Sequence, residues 1–378
     1  MWIAAKSDQQ SGTLAPTTDG AMAFVPDPLP RQVPLTGEVA KALAFAERRI
    51  GWLQGAWTDV VHPEQLARPF RRQEAVMSSR IEGTQADLED AALYEAAPRH
   101  EADDAREVNN YEQALGLGLE LVQQRPVGQV LYQKLHERLM QGGDSRSDPG
   151  NFRRIQNWIG PEGLTIAEAR YIPPPVPQMH QRLDDLDNFI NQPSEIPDLM
   201  RLAMVHYQFE AIHPFIDGNG RIGRLLITLL MAQWGILTDP PLYLSRYLER
   251  HRQDYYDHLL AVSRNSAWAP WLCFILTGLG EQAEDMYRKA RKLVELRYHY
   301  EQDLKDHRNA GPTLQLLDQL FARQAITVSI AADLLEVTFN TASNHVQRLV
   351  DIGALKEVPV RGRSRVFLAT EVFRVIRG

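Results

Sequence analysis

The sequence predicts a mainly α-helical protein, broken by one small β-hairpin and closed by a helix–turn–helix unit with two strands attached. Three observations carry this. Apolar residues recur at helical spacing along most of the 378 residues, as in EVAKALAFAERRIGWL and VLYQKLHERLM. Turn-forming residues gather between Gly142 and Pro177, where the helical period lapses. The C-terminal segment alternates short helical and extended stretches.

Composition narrows the function classes. With 44% hydrophobic and 24% charged residues the chain is ordinary globular material. Its length suits two or three domains at roughly 100–200 residues each. A net charge of -7 excludes polyanion binding by bulk charge, so any nucleic-acid contact must be a local patch. The single cysteine, Cys273, excludes a disulfide framework and a thiolate metal site, and fits a reducing compartment. The start MWIAAKSDQQSGTL lacks the basic and apolar regions of a leader, and runs such as LLITLLMA fall short of the ~20 residues of a membrane span. The expectation is a soluble, cytoplasmic protein with no membrane partner.

The elements follow in order. Residues 1–36, rich in Ser, Thr, Pro and Gln, read as an extended arm. Residues 37–126 form an N-terminal helical region. Within it, MSSRIEGTQA places Ser78 and Glu82 one helical turn apart, with Gly83 as a natural helix stop. Residues 127–278 form the core. NWIGPEGLTIAEARYIPPP reads there as two extended pieces around GPEG, and Pro173, Pro174 and Pro175 forbid helix. LMRLAMVHYQFEAI follows as a helix whose stripe is Leu199, Leu202, Val205, Phe209 and Ile212, ended by Pro214. A second helix starts near Gly220. An apolar helix after Trp271 and a charged linker helix over 279–311 lead to a terminal unit at 312–378, with Gly311-Pro312 at the boundary.

Between the two core helices lies HPFIDGNGRIGR, residues 213–224. Gly218 and Gly220 flank Asn219 in a turn able to point successive N–H groups inward as an anion nest. The helix that follows adds unpaired N–H groups and a partial positive charge. Arg221 and Arg224 lie one turn apart, and guanidinium groups bind phosphate bidentately. Asp217 would repel bare phosphate but suits Mg²⁺, which takes one or two carboxylates plus phosphate oxygens. His213 can accept a proton from an incoming hydroxyl. No GxxxxGK[ST] is present, and an EF-hand loop from Asp217 fails because its sixth and twelfth positions are Ile222 and Thr228.

This stretch resembles the full signature of Fic-domain proteins, His-x-Phe-x-(Asp or Glu)-Gly-Asn-Gly-Arg-x-x-Arg. EAVMSSRIEGTQA, GNFRRIQNWIG, ARYIPPP, LYLSRYLERHRQDYYDHL and the C-terminal unit also resemble larger bacterial members of that family. The resemblance implies a Fic-type helical core and adenylylation, the transfer of AMP from ATP to a protein hydroxyl. It implies that His213 deprotonates a Tyr, Thr or Ser hydroxyl and that Asp217 holds Mg²⁺. The nucleotide-binding stretch would be Gly218, Asn219, Gly220, Arg221, Ile222, Gly223 and Arg224, with Tyr256 at the adenine. Phe215 anchors the loop. Ser263 stands where some relatives have asparagine. The hairpin around GPEG resembles the family's flap, which pairs with an extended piece of the target.

Relatives also carry Ser/Thr-x-x-x-Glu-(Gly/Asn) as an inhibitory motif, which Ser78 to Gly83 fits. Glu82 paired with Arg224 would occupy the clamp meant for the γ-phosphate, leaving ATP misplaced for in-line attack. In the C-terminal unit, two short helices around Val337-Thr338, a stop at Gly353, and strands joined by RGRS have the grammar of a winged helix. Asn340, Thr341, Ser343, Asn344 and Gln347 are polar enough to read bases, and Arg361, Arg363 and Arg365 could grip phosphate. Eight Lys/Arg against six Asp/Glu over 313–378 leave only +2, thin for DNA, and protein or homodimer packing is the counter-reading. His206 reads as a satisfied core histidine, and Trp234, Trp268 and Trp271 as core. The rivals are self-modification, AMP removal, transfer of another phosphate-containing group, and a DNA-binding regulator that senses nucleotide.

Overall fold

A computed structural model describes residues 11–58, 63–97, 103–143, 145–160, 163, 165–237, 242–305, 310–359 and 365–378. Strands β1 (Gly12–Pro16) and β2 (Met22–Pro26) precede helices α1 (Gly37–Thr58), α2 (Pro63–Ile81), α3 (Leu88–Ala96) and α4 (Asp103–Leu121). Next come α5 (Gln129–Leu139), α6 (Val176–Asn191), α7 (Asp198–Ile212), α8 (Asn219–Gln233), α9 (Ser245–Arg250), α10 (Arg252–Asn265) and α11 (Trp268–Leu304). The C-terminal elements are α12 (Ala310–Arg323), β3 (Ala325–Thr327), α13 (Val328–Leu335), α14 (Phe339–Asp351), β4 (Lys356–Val358), β5 (Val366–Leu368) and α15 (Thr370–Arg377). The mainly helical class is as expected. No helix among the described residues is long and apolar enough to cross a membrane.

The chain forms two compact units, one within residues 1–48, 113–238 and 244–281, the other within 49–112, 239–243 and 282–378. This grouping differs from the linear succession of segments read from the sequence. The N-terminal helical region is divided, and its part from residue 49 to 112 joins the C-terminal elements.

In the first unit α7 and α8 pack together, with α5, α6 and α10 around them. Every α7 residue from Leu199 to Phe209 is buried, so in place of the expected stripe the helix is buried on all sides, its polar Arg201, His206 and Gln208 included. The expected extended arm is corrected by the β1–β2 hairpin, which registers Leu14 with Phe24. Its turn closes with Thr17 N–H on the Ala21 carbonyl at 2.8 Å and Gly20 at φ 78°. Phe24, buried, donates its N–H to the Ile172 carbonyl, and Gln208 donates to the Asp27 carbonyl. The Asp19-Gly20 pair, a turn-forming dipeptide, lies at the tip of the hairpin.

A second correction concerns α11, which runs unbroken from Trp268 to Leu304 where two helices were expected. Gly278 and Gly280 mark close approach here. A Cβ on Gly278 would lie 2.5 Å from the Tyr247 ring, and one on Gly280 would lie 2.3 Å from the Phe45 ring. Such contacts require glycine inside a helix despite its cost of about 1 kcal/mol.

In the second unit α2 packs against α12, α3 and α15. Arg72, projecting from α2, is 1% exposed. Its guanidinium donates to Glu112 at 3.1 Å, to the Arg323 carbonyl and Gln324 at 2.8 Å each, and to Glu95. Arg68, one turn earlier, bonds the same two carboxylates at 3.1 and 2.7 Å. Gln73 donates to the Ile376 carbonyl at 2.8 Å. The strands form an antiparallel sheet in the order β3–β5–β4 beside the α13–α14 pair. Arg361 and Arg363 lie outside the described residues, and Arg365 pairs with Glu357 across the hairpin.

Candidate nucleotide-phosphate site

The loop from His213 to Gly218 joins α7 to α8. His213 caps α7 in the left-handed region, at φ 50° and ψ 62°, with its N–H on the Phe209 carbonyl at 3.0 Å. That conformation is costly for a residue with a Cβ and persists only where its surroundings hold it. Arg153 does so. Its Nε donates to the His213 carbonyl at 3.0 Å, and its N–H to the Pro214 carbonyl at 2.9 Å. The same guanidinium reaches the carbonyls of Ile155 at 3.2 Å and Pro174 at 2.5 Å, which ties the loop to the segments on either side of the expected hairpin. Burial lowers the Arg153 pKa to about 10.

The imidazole of His213 is half-buried, with Nδ1 at 3.3 Å from the Glu210 carbonyl. A carbonyl only accepts, so in that contact Nδ1 is the donor.

Asn219 closes the loop: its Oδ1 accepts the Phe215 N–H at 2.8 Å and its Nδ2 donates to the Phe215 carbonyl at 2.9 Å. Asn157 donates to the same carbonyl at 2.9 Å. Phe215 is fully buried, as expected of an anchor. Gly218 opens α8 at φ 77°, and its N–H meets the Asp217 Oδ1 at 2.6 Å. The Asp217 side chain is 63% exposed and lies 3.5 Å from the Arg221 guanidinium. Arg221 and Arg224 are both buried. Both belong to the first two turns of α8, whose N-terminus carries a partial positive charge.

Ile222 and Gly223, expected within the nucleotide-binding stretch, pack inward. The Ile222 side chain is in the core and its N–H is spent on the Gly218 carbonyl at 3.0 Å. The Gly223 carbonyl lies 3.1 Å from His206 Nδ1, and a Cβ there would meet Glu210 at 2.3 Å. Both residues seat α8 on α7.

His206 is the satisfied core histidine expected, bonded also to the Tyr255 hydroxyl at 2.9 Å. Burial and the nearby charge of Arg224 lower its pKa to about 3. Of the three tryptophans expected in the core, Trp271 is fully buried, while Trp234 and Trp268 are half-buried. Tyr256 is half-buried on α10, its ring 6.0 Å from the Arg170 guanidinium and 5.9 Å from that of Arg252. Ser263 is turned inward to the Tyr207 hydroxyl at 2.9 Å.

The expected hairpin is shorter than its sequence suggested. Among the described residues it reduces to one antiparallel bridge, Ile159 with Tyr171, followed inward by a 3-10 turn at Ile166–Glu168. A Thr165–Glu168 capping box competes with the ladder there. Pro161 and Glu162 of GPEG lie outside the described residues.

Ser78 and Glu82 belong to the second unit. Ser78 is fully buried on α2, Glu82 is exposed just past its end, and Gly83 adopts φ 109°, the helix stop expected.

Sequence reasoning missed His136 and Arg153 as parts of this site. His136, on α5, is buried and stacks on Phe215 with ring centroids 3.9 Å apart. Burial lowers its pKa to about 4. Its only sequence signal is a histidine placed among Tyr132, Leu135 and Leu139, the buried face of α5.

Residues 40–120 match the Fic/DOC family N-terminal region, and residues 127–231 match the Fic/DOC family. The chain is 27% identical to Protein adenylyltransferase Fic of Drosophila grimshawi over 193 residues, 49% of this chain and 36% of that protein. It is 30% identical to the Aedes aegypti protein of the same name over 156 residues, 41% of this chain and 28% of that one. The matches thus span about a third of these relatives' length. The fold resembles that of a Fic family protein from Desulfovibrio desulfuricans, with TM-score 0.56 at 21% identity, over 90% of this chain and 98% of that one. A Fic domain containing signaling protein from Bacteroides thetaiotaomicron gives TM-score 0.52 at 19% identity, over 65% and 97%. At such identities the likeness is one of fold.

Proposed function

The chain carries a Fic/DOC-family domain at residues 127–231, preceded by the family's N-terminal region, and from that premise we propose that it is a protein adenylyltransferase. The observation that carries the reading is the loop that leads from His213 into α8, anchored by Arg153 on the His213 carbonyl and by the Asn219 side chain on both backbone groups of Phe215. His213 Nε2 takes the proton of a target Tyr, Thr or Ser hydroxyl. The hydroxyl oxygen then bonds to the α-phosphorus of ATP as the bond to the bridging oxygen breaks, and pyrophosphate leaves. The N–H groups of Gly218, Asn219 and Gly220 and the side chains of Arg221 and Arg224 stabilise the phosphates electrostatically.

The residues suit Mg²⁺. Asp217 offers one exposed carboxylate, and among the described residues no group of three or more His, Cys, Asp or Glu could hold a metal alone. Mg²⁺ bound by one carboxylate with nucleotide oxygens fits that donor set and would neutralise phosphate charge. The exposed side chains of Ile155 and Trp158 beside the Ile159 bridge support target docking along that edge.

Two finer parts belong to the same reading. Glu82 brakes the reaction by pairing with Arg224, as the Ser78-to-Gly83 match to the inhibitory motif supports. The C-terminal elements act as a winged helix whose α14 presents Asn340, Thr341, Asn344 and Gln347 to solvent. A DNA contact there has thin electrostatic support, since Arg365 is engaged by Glu357.

The test is label transfer to protein from α-labelled ATP with Mg²⁺, using wild type, Glu82→Gly and Glu82→Gly/His213→Ala, with γ-labelled ATP as control. Label from the α position in the single variant, lost in the double, is the expected result. Transfer from the γ position would make the protein a kinase. No transfer from either, with ATP still bound, would favour a nucleotide-sensing regulator.

A further inference from the structure

We infer that His136 is a positioning residue that selects the orientation of the Asp217–Gly218 peptide and so aims the Gly218 N–H at the ligand side of the loop. The inference rests on reading this loop as a phosphate seat. The Gly150 N–H points at His136 Nδ1 at 2.9 Å. An N–H only donates, so Nδ1 accepts and the ring proton sits on Nε2. Nε2, 3.0 Å from the Asp217 carbonyl, therefore donates to it. The chain itself dictates the tautomer, and the Phe215 ring beneath, inclined by only 8°, fixes the plane of the imidazole.

The consequence follows from peptide geometry. In a trans peptide the C=O and N–H point in opposite directions. With the Asp217 carbonyl held toward α5, the Gly218 N–H must face away from it, where Asp217 Oδ1 now takes it at 2.6 Å. A glycine at φ 77° tolerates the reversed peptide nearly as well, so local sterics alone do not choose between the two. The reversed peptide would present a carbonyl lone pair to the phosphates in place of a donor. The His136 N–H is what disfavours it.

Two substitutions separate positioning from packing. His136→Phe keeps an aromatic ring against Phe215 but donates no hydrogen bond. His136→Gln loses the stack but keeps an N–H at about the reach of Nε2. If His136 only fills space, Phe should serve better than Gln; if it positions the peptide, Gln should serve better. The readouts are melting temperature, ATP affinity with Mg²⁺ by calorimetry, AMP transfer in the Glu82→Gly background, and amide exchange over residues 214–220 without ligand.

The expected result is ATP affinity weakened about tenfold or more in the Phe variant and by no more than about threefold in the Gln variant, the size of one charge-assisted hydrogen bond. Amide exchange in the loop should rise in the Phe variant alone. Equal effects of the two, or a Phe variant matching wild type, would overturn the proposal. Should the Phe variant fail to fold, Gln against Leu at the same position gives the same contrast. If Glu82→Gly binds ATP yet moves no AMP, the adenylyltransferase reading fails while the affinity contrast still decides the role of His136. If even ATP does not bind, the phosphate-seat reading fails, and unligated loop exchange decides whether His136 holds this peptide.

Discussion

A general base is useful only while its lone pair is held where the proton will be, and the backbone of His213, the proposed base, is fixed by hydrogen bonds on both sides of a strained turn. His213→Ala is therefore expected to reduce AMP transfer by about 10²–10⁴-fold, the usual contribution of a positioned base. ATP affinity should stay within about twofold of its starting value, because that side chain contributes to proton transfer and little to ground-state binding. Gly218→Ala tests the turn itself. Its Cβ would sit at φ 77° and 3.2 Å from Met140 Sδ, a cost of about 1–2 kcal/mol, read as a fall in melting temperature and weaker ATP binding. Most of the candidate site was legible because the proposed base, the carboxylate, the glycines and both arginines lie within twelve contiguous residues. His136 and Arg153 were not, because their partners lie 81 and 60 residues along the chain. No local pattern announces a contact that only folding creates.

At the level of elements, the α2 helix is held by charge as well as by apolar packing. Burial works against the Glu112 carboxylate, yet the Arg72 and Arg68 guanidinium groups hold its pKa below the ordinary value of 4.5. A group depressed on folding contributes stability that is present above its unfolded pKa and lost as pH falls through the folded one. Melting temperature of the second unit should thus hold from neutral pH down to about 4.5 and decline below it. Arg72→Met should cost about 3–5 kcal/mol, since it leaves buried carboxylates without their main partner. The acid limb should move to higher pH in that variant; a melting series across pH 3–7 reads both effects. The sequence marked α2 by Ser78 and its end by Glu82 and Gly83, and gave no hint that its opposite side is an ion-pair seam. Arg72 lies 251 residues from one of its acceptors. The two glycines of α11 follow the same logic: in the fold they admit the rings of Tyr247 and Phe45, partners distant in sequence.

For the whole molecule, the proposed brake makes a quantitative demand. Glu82→Gly should raise AMP transfer by at least about tenfold, the size of a modest misplacement of reacting groups, with little change in ATP affinity. Equal rates in the variant and the wild type would remove the autoinhibited reading without touching the catalytic one. The broad helical architecture and the C-terminal helix pair were readable from periodicity. The membership of residues 49–112 in the same unit as the C-terminal elements was not, because burial against a distant helix leaves the period of α2 unchanged. This membership bears on how the protein can be dissected. A chain shortened before α12 would deprive Arg72 of the Arg323 carbonyl and Gln324, deprive Gln73 of the Ile376 carbonyl, and uncover the side of α2 that they close. Deleting the C-terminal module to ask what it binds would then alter α2, the helix that leads into the proposed brake, as well, and a gain of activity in the shortened chain would say nothing about DNA. Single substitutions on the solvent side of α14, at Asn340, Asn344 or Gln347, leave that seam intact and put the question to the module alone.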